Sequence, residues 1–143
     1  MRSDKSILLV EDDEIDVMTI SRALKDLMVT NPLEVAGNGE EALEHLRNPK
    51  NRIPCLILLD LNMPRMSGLE FLDIVKNDQT LRHIPTVVLT SSREEQDKIA
   101  AFRNGIAGYM VKPVDYKQFV DVVRTIDLYW TISEFPTEAS SDE

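Results

Sequence analysis

Three short runs that are apolar almost throughout constrain this chain most: Ser6–Val10 (SILLV), Leu56–Leu59 (LILL) and Thr86–Leu89 (TVVL). Each is too short for a helix and is bounded by charge or proline. A run without polar alternation suits a strand covered on both faces, as in a parallel sheet. Leu33–Ala36 (LEVA) and Ala107–Val111 (AGYMV) are two weaker strand candidates. Helical spacing fills the intervals. Val17, Ile20, Leu24 and Leu27 recur at steps of 3, 4 and 3 within 13–28. Further helices are expected over 39–46 with Asn38 as cap, over 67–77, over 92–102 and over 115–132. The fourth begins SREE, a capping-box pattern that puts Ser92 at its N-cap, and Gly105 stops it. The order is β-α five times over. It predicts an α/β domain, a doubly wound five-stranded parallel sheet with helices on both faces.

The remaining features narrow the class. With 143 residues, 43% hydrophobic and 29% charged, the chain has the size and composition of one self-sufficient domain. The domain is expected over residues 1–132. The segment 133–143, acidic and containing Pro136, is expected to be a flexible tail. Cys55 is the only cysteine, which excludes an internal disulfide. No secretory signal and no span-length apolar stretch is visible, so a cytoplasmic location is expected. Sixteen basic against twenty-five acidic residues give a net charge of −9. That argues against nucleic acid as a direct ligand, since such binding neutralises phosphates with Lys and Arg.

In a doubly wound sheet, ligands bind beyond the carboxyl ends of the strands. The first strand ends in Glu11-Asp12-Asp13, the third in Asp60, the fourth in Thr90-Ser91 and the fifth in Lys112-Pro113. Singly, each is ordinary: acids after a strand are usually solvated turns or caps, and a hydroxyl there usually caps a helix. Their recurrence at equivalent places in successive units is what matters. It converges carboxylates, a hydroxyl and an ammonium on one rim. Clustered carboxylates need a counterion. Oxygen ligands with open positions suit Mg²⁺, which bridges to phosphate. Thr90 and Lys112 can meet phosphoryl oxygens. Asp60 is left as the nucleophile, able to form an acyl phosphate.

The motifs VEDD (10–13), LLDLNMPRMSG (58–68), VLTSS (88–92) and GYMVKP (108–113) resemble the receiver domain of bacterial two-component response regulators. The resemblance runs from Lys5 to about Tyr129. It implies a flavodoxin-like sheet order 2-1-3-4-5 and phosphorylation of Asp60 by a sensor histidine kinase. It implies Mg²⁺ held by the acidic pair Glu11 and Asp12, by Asp60 and by the backbone carbonyl of Asn62. Thr90 and Lys112 would bind the phosphoryl group, with Thr90 and Tyr109 as the switch pair and Lys112–Pro113 a cis bond. Asn62 and Ser92 would set the rate of self-dephosphorylation. Glu11 stands where the family usually has Asp, and Asp13 is an extra acid. The proline-bounded loop at 48–54 and the end of the last helix resemble stand-alone regulators serving phytochrome-type photoreceptor kinases. Output would then use the receiver surface. A homodimer is expected through the fourth helix, fifth strand and fifth helix, with Val122, Tyr129 and Trp130 on the apolar arc.

Rival chemistries fare worse. A haloacid-dehalogenase-type phosphatase needs an acid two residues after its nucleophile, where this chain has Asn62. No glycine-rich phosphate loop is present, and His45 and His83 have no zinc-site spacing. The alternative from another class is a receiver-like scaffold that binds partners without chemistry. An enzyme with a separate substrate is not expected.

Overall fold

The computed structural model describes residues 4–113 and 115–132, with side chains through Tyr129. Five strands alternate with five helices: β1 (Ile7–Val10), α1 (Glu14–Asp26), β2 (Leu33–Ala36), α2 (Gly39–Arg47), β3 (Leu56–Leu59), α3 (Gly68–Lys76), β4 (Thr86–Thr90), α4 (Glu95–Arg103), β5 (Gly108–Val111) and α5 (Tyr116–Ile132). The strands form one parallel sheet in the order β2-β1-β3-β4-β5. Every residue of β1, β3 and β4 is buried. The unalternating runs are therefore the three central strands, and the weaker candidates are the edges.

Strand residues alternate between two faces. Leu8, Val10, Ile57, Leu59 and Val88 point to one face and pack with Ala42, Leu43 and Leu46 of α2, Phe71, Leu72 and Val75 of α3, and Ala101 of α4. Ile7, Leu9, Leu56, Leu58, Val87 and Leu89 point to the other and pack with Ile20, Ala23 and Leu24 of α1 and Phe119, Val123 and Ile126 of α5. The helices thus divide three and two about the sheet. All strands run the same way, so every carboxyl end, and the residue after it, lies on one edge of the sandwich.

The caps confirm some expectations and correct others. Asp13, Asn38 and Ser67 cap α1, α2 and α3 through side-chain acceptors, and Ser67 with Glu70 completes a capping box. Gly105, at φ 75°, takes the left-handed position after α4, where a side chain would be strained. Ser92 does not cap α4. That helix starts at Glu95 with Glu94 at its N-cap and no side-chain cap bond. The Ser92 hydroxyl instead donates to Asp97 Oδ2 at 2.6 Å. Its Oγ also accepts the Glu94 N–H at 3.3 Å, a turn contact ahead of the helix start, so the expected capping box does not form. The Lys112–Pro113 bond is also not cis, since no cis peptide occurs among the described residues. Trans is favoured by roughly 0.5–1 kcal/mol before proline. With the trans bond the Lys112 N–H still donates to Thr90 O at 2.8 Å, and the side chain still reaches the rim. The expected tail, 133–143, and the side chain of Trp130 lie outside the described residues.

Candidate functional site

The carboxyl edge of the three central strands brings the expected residues together. Glu11, Asp12 and Asp60 each place a carboxylate oxygen within 4.8 Å of the others. Glu11 and Asp60 are buried and Asp12 is exposed. Asp13 does not join them. Its Oδ1 accepts the N–H groups of Ile15 at 2.8 Å and Asp16 at 3.3 Å, so it serves α1. Of the three consecutive acids, the first two face the rim and the third starts a helix.

Lys112 crosses from the end of β5 to this cluster. Its Nζ donates to Glu11 Oε1 at 2.5 Å and to Asp16 Oδ2 at 2.8 Å, and stands 3.9 Å from Asp60 Oδ1. The other Glu11 oxygen, Oε2, accepts the Asp13 N–H at 3.2 Å. Burial pushes the Glu11 carboxyl up to about 7, and the Asp60 charge adds to that against the opposing pull of Lys112. For Lys112 burial works against the ammonium. The bonds to Asp16 and Glu11 and the charge of Asp60 outweigh it, holding this lysine above its ordinary value.

Asp60 Oδ1 is buried without a hydrogen-bond partner. An unpaired buried polar atom costs roughly 1–3 kcal/mol, more when charged. Two further carboxylates lie beside it. An all-oxygen donor set, partly open to water, with one orphaned carboxylate oxygen, fits a hard divalent cation. Asn62 is exposed, two residues past Asp60 in the loop that leads to α3.

Thr90, fully buried at the end of β4, takes the Ser92 N–H on its Oγ1 at 3.3 Å. Tyr109 of β5 is half-buried and donates its hydroxyl to Ser92 O at 3.1 Å. The β4–α4 loop is thus tied to both Thr90 and Tyr109 through one residue, Ser92.

Two residues of the site escaped the sequence reading. Asp16 binds Lys112 from the first turn of α1. In the sequence it is one more acid in the first turn of a helix, and no spacing ties it to Lys112. Gly68 closes the loop that follows Asp60. A Cβ there would lie 2.4 Å from Asp60 O and 2.6 Å from Leu61 Cα, while its N–H donates to Leu61 O at 3.0 Å.

Residues 7–124 match the family model of the response regulator receiver domain. The chain belongs to that family. Among its relatives, this receiver is 37% identical over 127 residues to the protein described as "Probable methanogenesis regulatory protein FilR2" of Methanothrix harundinacea, covering 87% of this chain and 82% of that one. It is 35% identical over 130 residues to the response regulator Rcp1 of Synechocystis, with 88% of each chain covered. The solved Mn(2+)-bound form of Rcp1 superposes with a TM-score of 0.85 over 93% of this receiver and 99% of that chain. The phosphorylated cyanobacterial phytochrome response regulator RcpA, 34% identical, also gives 0.85, covering 94% and 100%. Among the described residues, no helix of the receiver is long and apolar enough to cross a membrane.

Proposed function

We propose that this receiver accepts a phosphoryl group on Asp60 from a phosphohistidine of a sensor kinase of the phytochrome type. The observation that carries the reading is Asp60 itself: a buried carboxylate with one unpartnered oxygen, on the same rim as Lys112, Thr90 and two further acids. A carboxylate oxygen of Asp60 attacks phosphorus. The O–P bond forms as the P–N bond breaks, and the imidazole leaves with the electron pair and is reprotonated from solvent. Lys112 meets charge on the phosphoryl oxygens, and the Thr90 hydroxyl donates to another. Glu11, Asp12, Asp60 and the carbonyl of Asn62 would hold Mg²⁺. When bound, the ion neutralises charge on the transferring group and eases repulsion among the acids. Asn62 and Ser92 border the acyl phosphate and set how readily water hydrolyses it.

The output is a shift between two populations of one fold. When Thr90 turns toward the phosphoryl group, the Ser92 link passes the change to Tyr109. The exposed side chains of Leu128 and Tyr129 support a homodimer on the face of α4, β5 and α5, while Val122 is half-buried against the protein's own core. With net charge −9, partners are proteins rather than nucleic acid, and the receiver (1–132, followed by the acidic 133–143) works in the cytoplasm. Phosphotransfer from purified phytochrome-type and unrelated sensor kinases tests the pairing. Rapid transfer from the phytochrome type alone is expected, and equal transfer from both would overturn that part.

A further inference from the structure

The lysine of the site is shared, and the sharing is unequal. Lys112 Nζ lies 2.5 Å from Glu11, 2.8 Å from Asp16 and 3.9 Å from Asp60 Oδ1, the oxygen that has no hydrogen bond. An ammonium has three donors and no more. Two of them are directed to groups other than the nucleophile. Of these two partners, the Glu11 side chain is 1% exposed and the Asp16 side chain 31%. A buried carboxylate that loses its cation stays unpaired. A partly exposed one is rehydrated by water. Asp16 is therefore the partner that Lys112 can leave at small cost. Nor can Asp16 follow the lysine inward, because it sits in the first turn of α1, where its own N–H is held by the Asp13 cap at 3.3 Å.

We propose that Asp16 is a positioning residue that holds Lys112 at the outer lip of the site in the resting state, and from which an incoming phosphoryl group must win the lysine. The proposal rests on the phosphoacceptor reading above and gives it an adjustable element. A phosphoryl group brings about two negative charges. It competes with Asp16 for one ammonium, and the Asp16 carboxylate also repels it. Both effects make Asp16 a brake on phosphoryl binding, set from a helix that contributes none of the other groups meeting the phosphoryl oxygens.

The test is the concentration of beryllofluoride, a phosphoryl mimic, that half-saturates the Mg²⁺-loaded protein, read by ¹⁹F NMR. Asp16→Asn is expected to lower it roughly fivefold, the scale of a partly exposed ion pair. Asp16→Glu, which can still reach Lys112, should restore the wild-type value. Glu14→Gln makes the same charge change two residues away in the same turn of α1 without touching Lys112 and should leave it unchanged. In metal-free protein, Asp16→Asn and Lys112→Met should show coupled rather than additive effects on melting temperature. Unchanged or weaker beryllofluoride binding in Asp16→Asn would overturn the proposal, as would an equal gain in Glu14→Gln, which would mean net charge alone. Additive melting effects would deny the contact itself. A wild type that binds no beryllofluoride, with melting effects still coupled, would instead defeat the phosphoacceptor reading and with it the brake.

Discussion

Replacing Gly68 with alanine should cripple the acceptor loop while leaving the rest of the sheet in place. The added Cβ would stand 2.4 Å from the carbonyl oxygen of Asp60, 2.6 Å from Leu61 Cα and 3.0 Å from Leu61 Cδ2. The first two are backbone atoms, so no side chain can swing aside. Ordinary contact begins near 3.4 Å, and 3.4 − 2.4 gives a displacement of 1.0 Å between the loop and the start of α3. Overpacking of this kind costs about 1–3 kcal/mol. The catalytic effect should be larger, because misplacing a reacting group by ~1 Å costs on the order of 10²-fold in rate. Phosphorylation by acetyl phosphate, followed on Phos-tag gels, gives the rate, and urea unfolding gives the stability. A folded Gly68→Ala protein with at least a tenfold slower rate is the expected result. Wild-type rate and wild-type stability together would refute the claim that this glycine is required by close approach to Asp60.

The other predictions concern charge and association. Asp12→Asn relieves repulsion with Glu11 and Asp60, so metal-free protein should gain ~0.5–1 kcal/mol, or roughly 2–4 °C in melting temperature, and should lose most of its stabilisation by Mg²⁺. The Glu11 carboxyl is raised from 4.5 to about 7 in the folded protein, so between these values the folded state binds the extra proton. Metal-free protein should therefore lose stability as pH rises through about 7, and apparent Mg²⁺ affinity should rise over the same range; paired melting curves with and without Mg²⁺ check both. The double substitution Tyr129→Ala, Trp130→Ala should shift the protein toward monomer in sedimentation experiments, and a wild type that is monomeric at high micromolar concentration would remove the dimer.

The fold was legible because its central strands carry no polar alternation. Ile7–Val10, Leu56–Leu59 and Thr86–Thr90 are buried on both faces, and burial of that kind is written directly into composition. The rim was legible for a topological reason, since parallel strands put every residue after a carboxyl end on one edge. What sequence spacing could not resolve was competition among local acceptors. Three acids follow β1, and only the geometry shows Asp13 committed to a cap while Glu11 and Asp12 face Asp60. Ser92 matched a capping pattern, yet α4 starts at Glu95, and the Ser92 hydroxyl makes a turn contact with the Glu94 N–H and donates to Asp97. Asp16 reads as one more acid on a helix, and its link to Lys112 joins residues 96 apart in the chain. Gly68 closes the 58–68 motif, but its reason, backbone approach to Asp60 and Leu61, shows only in the geometry.

The central claim is that Asp60 is the phosphoacceptor. Intact-chain mass measurement after incubation with acetyl phosphate and Mg²⁺, with the modified peptide located by fragmentation, tests it most directly. One added phosphoryl group is expected, carried by the peptide containing Asp60, absent with a chelator and absent in Asp60→Asn. A phosphoryl group of equal occupancy in Asp60→Asn, or a wild type that stays unmodified, would contradict it.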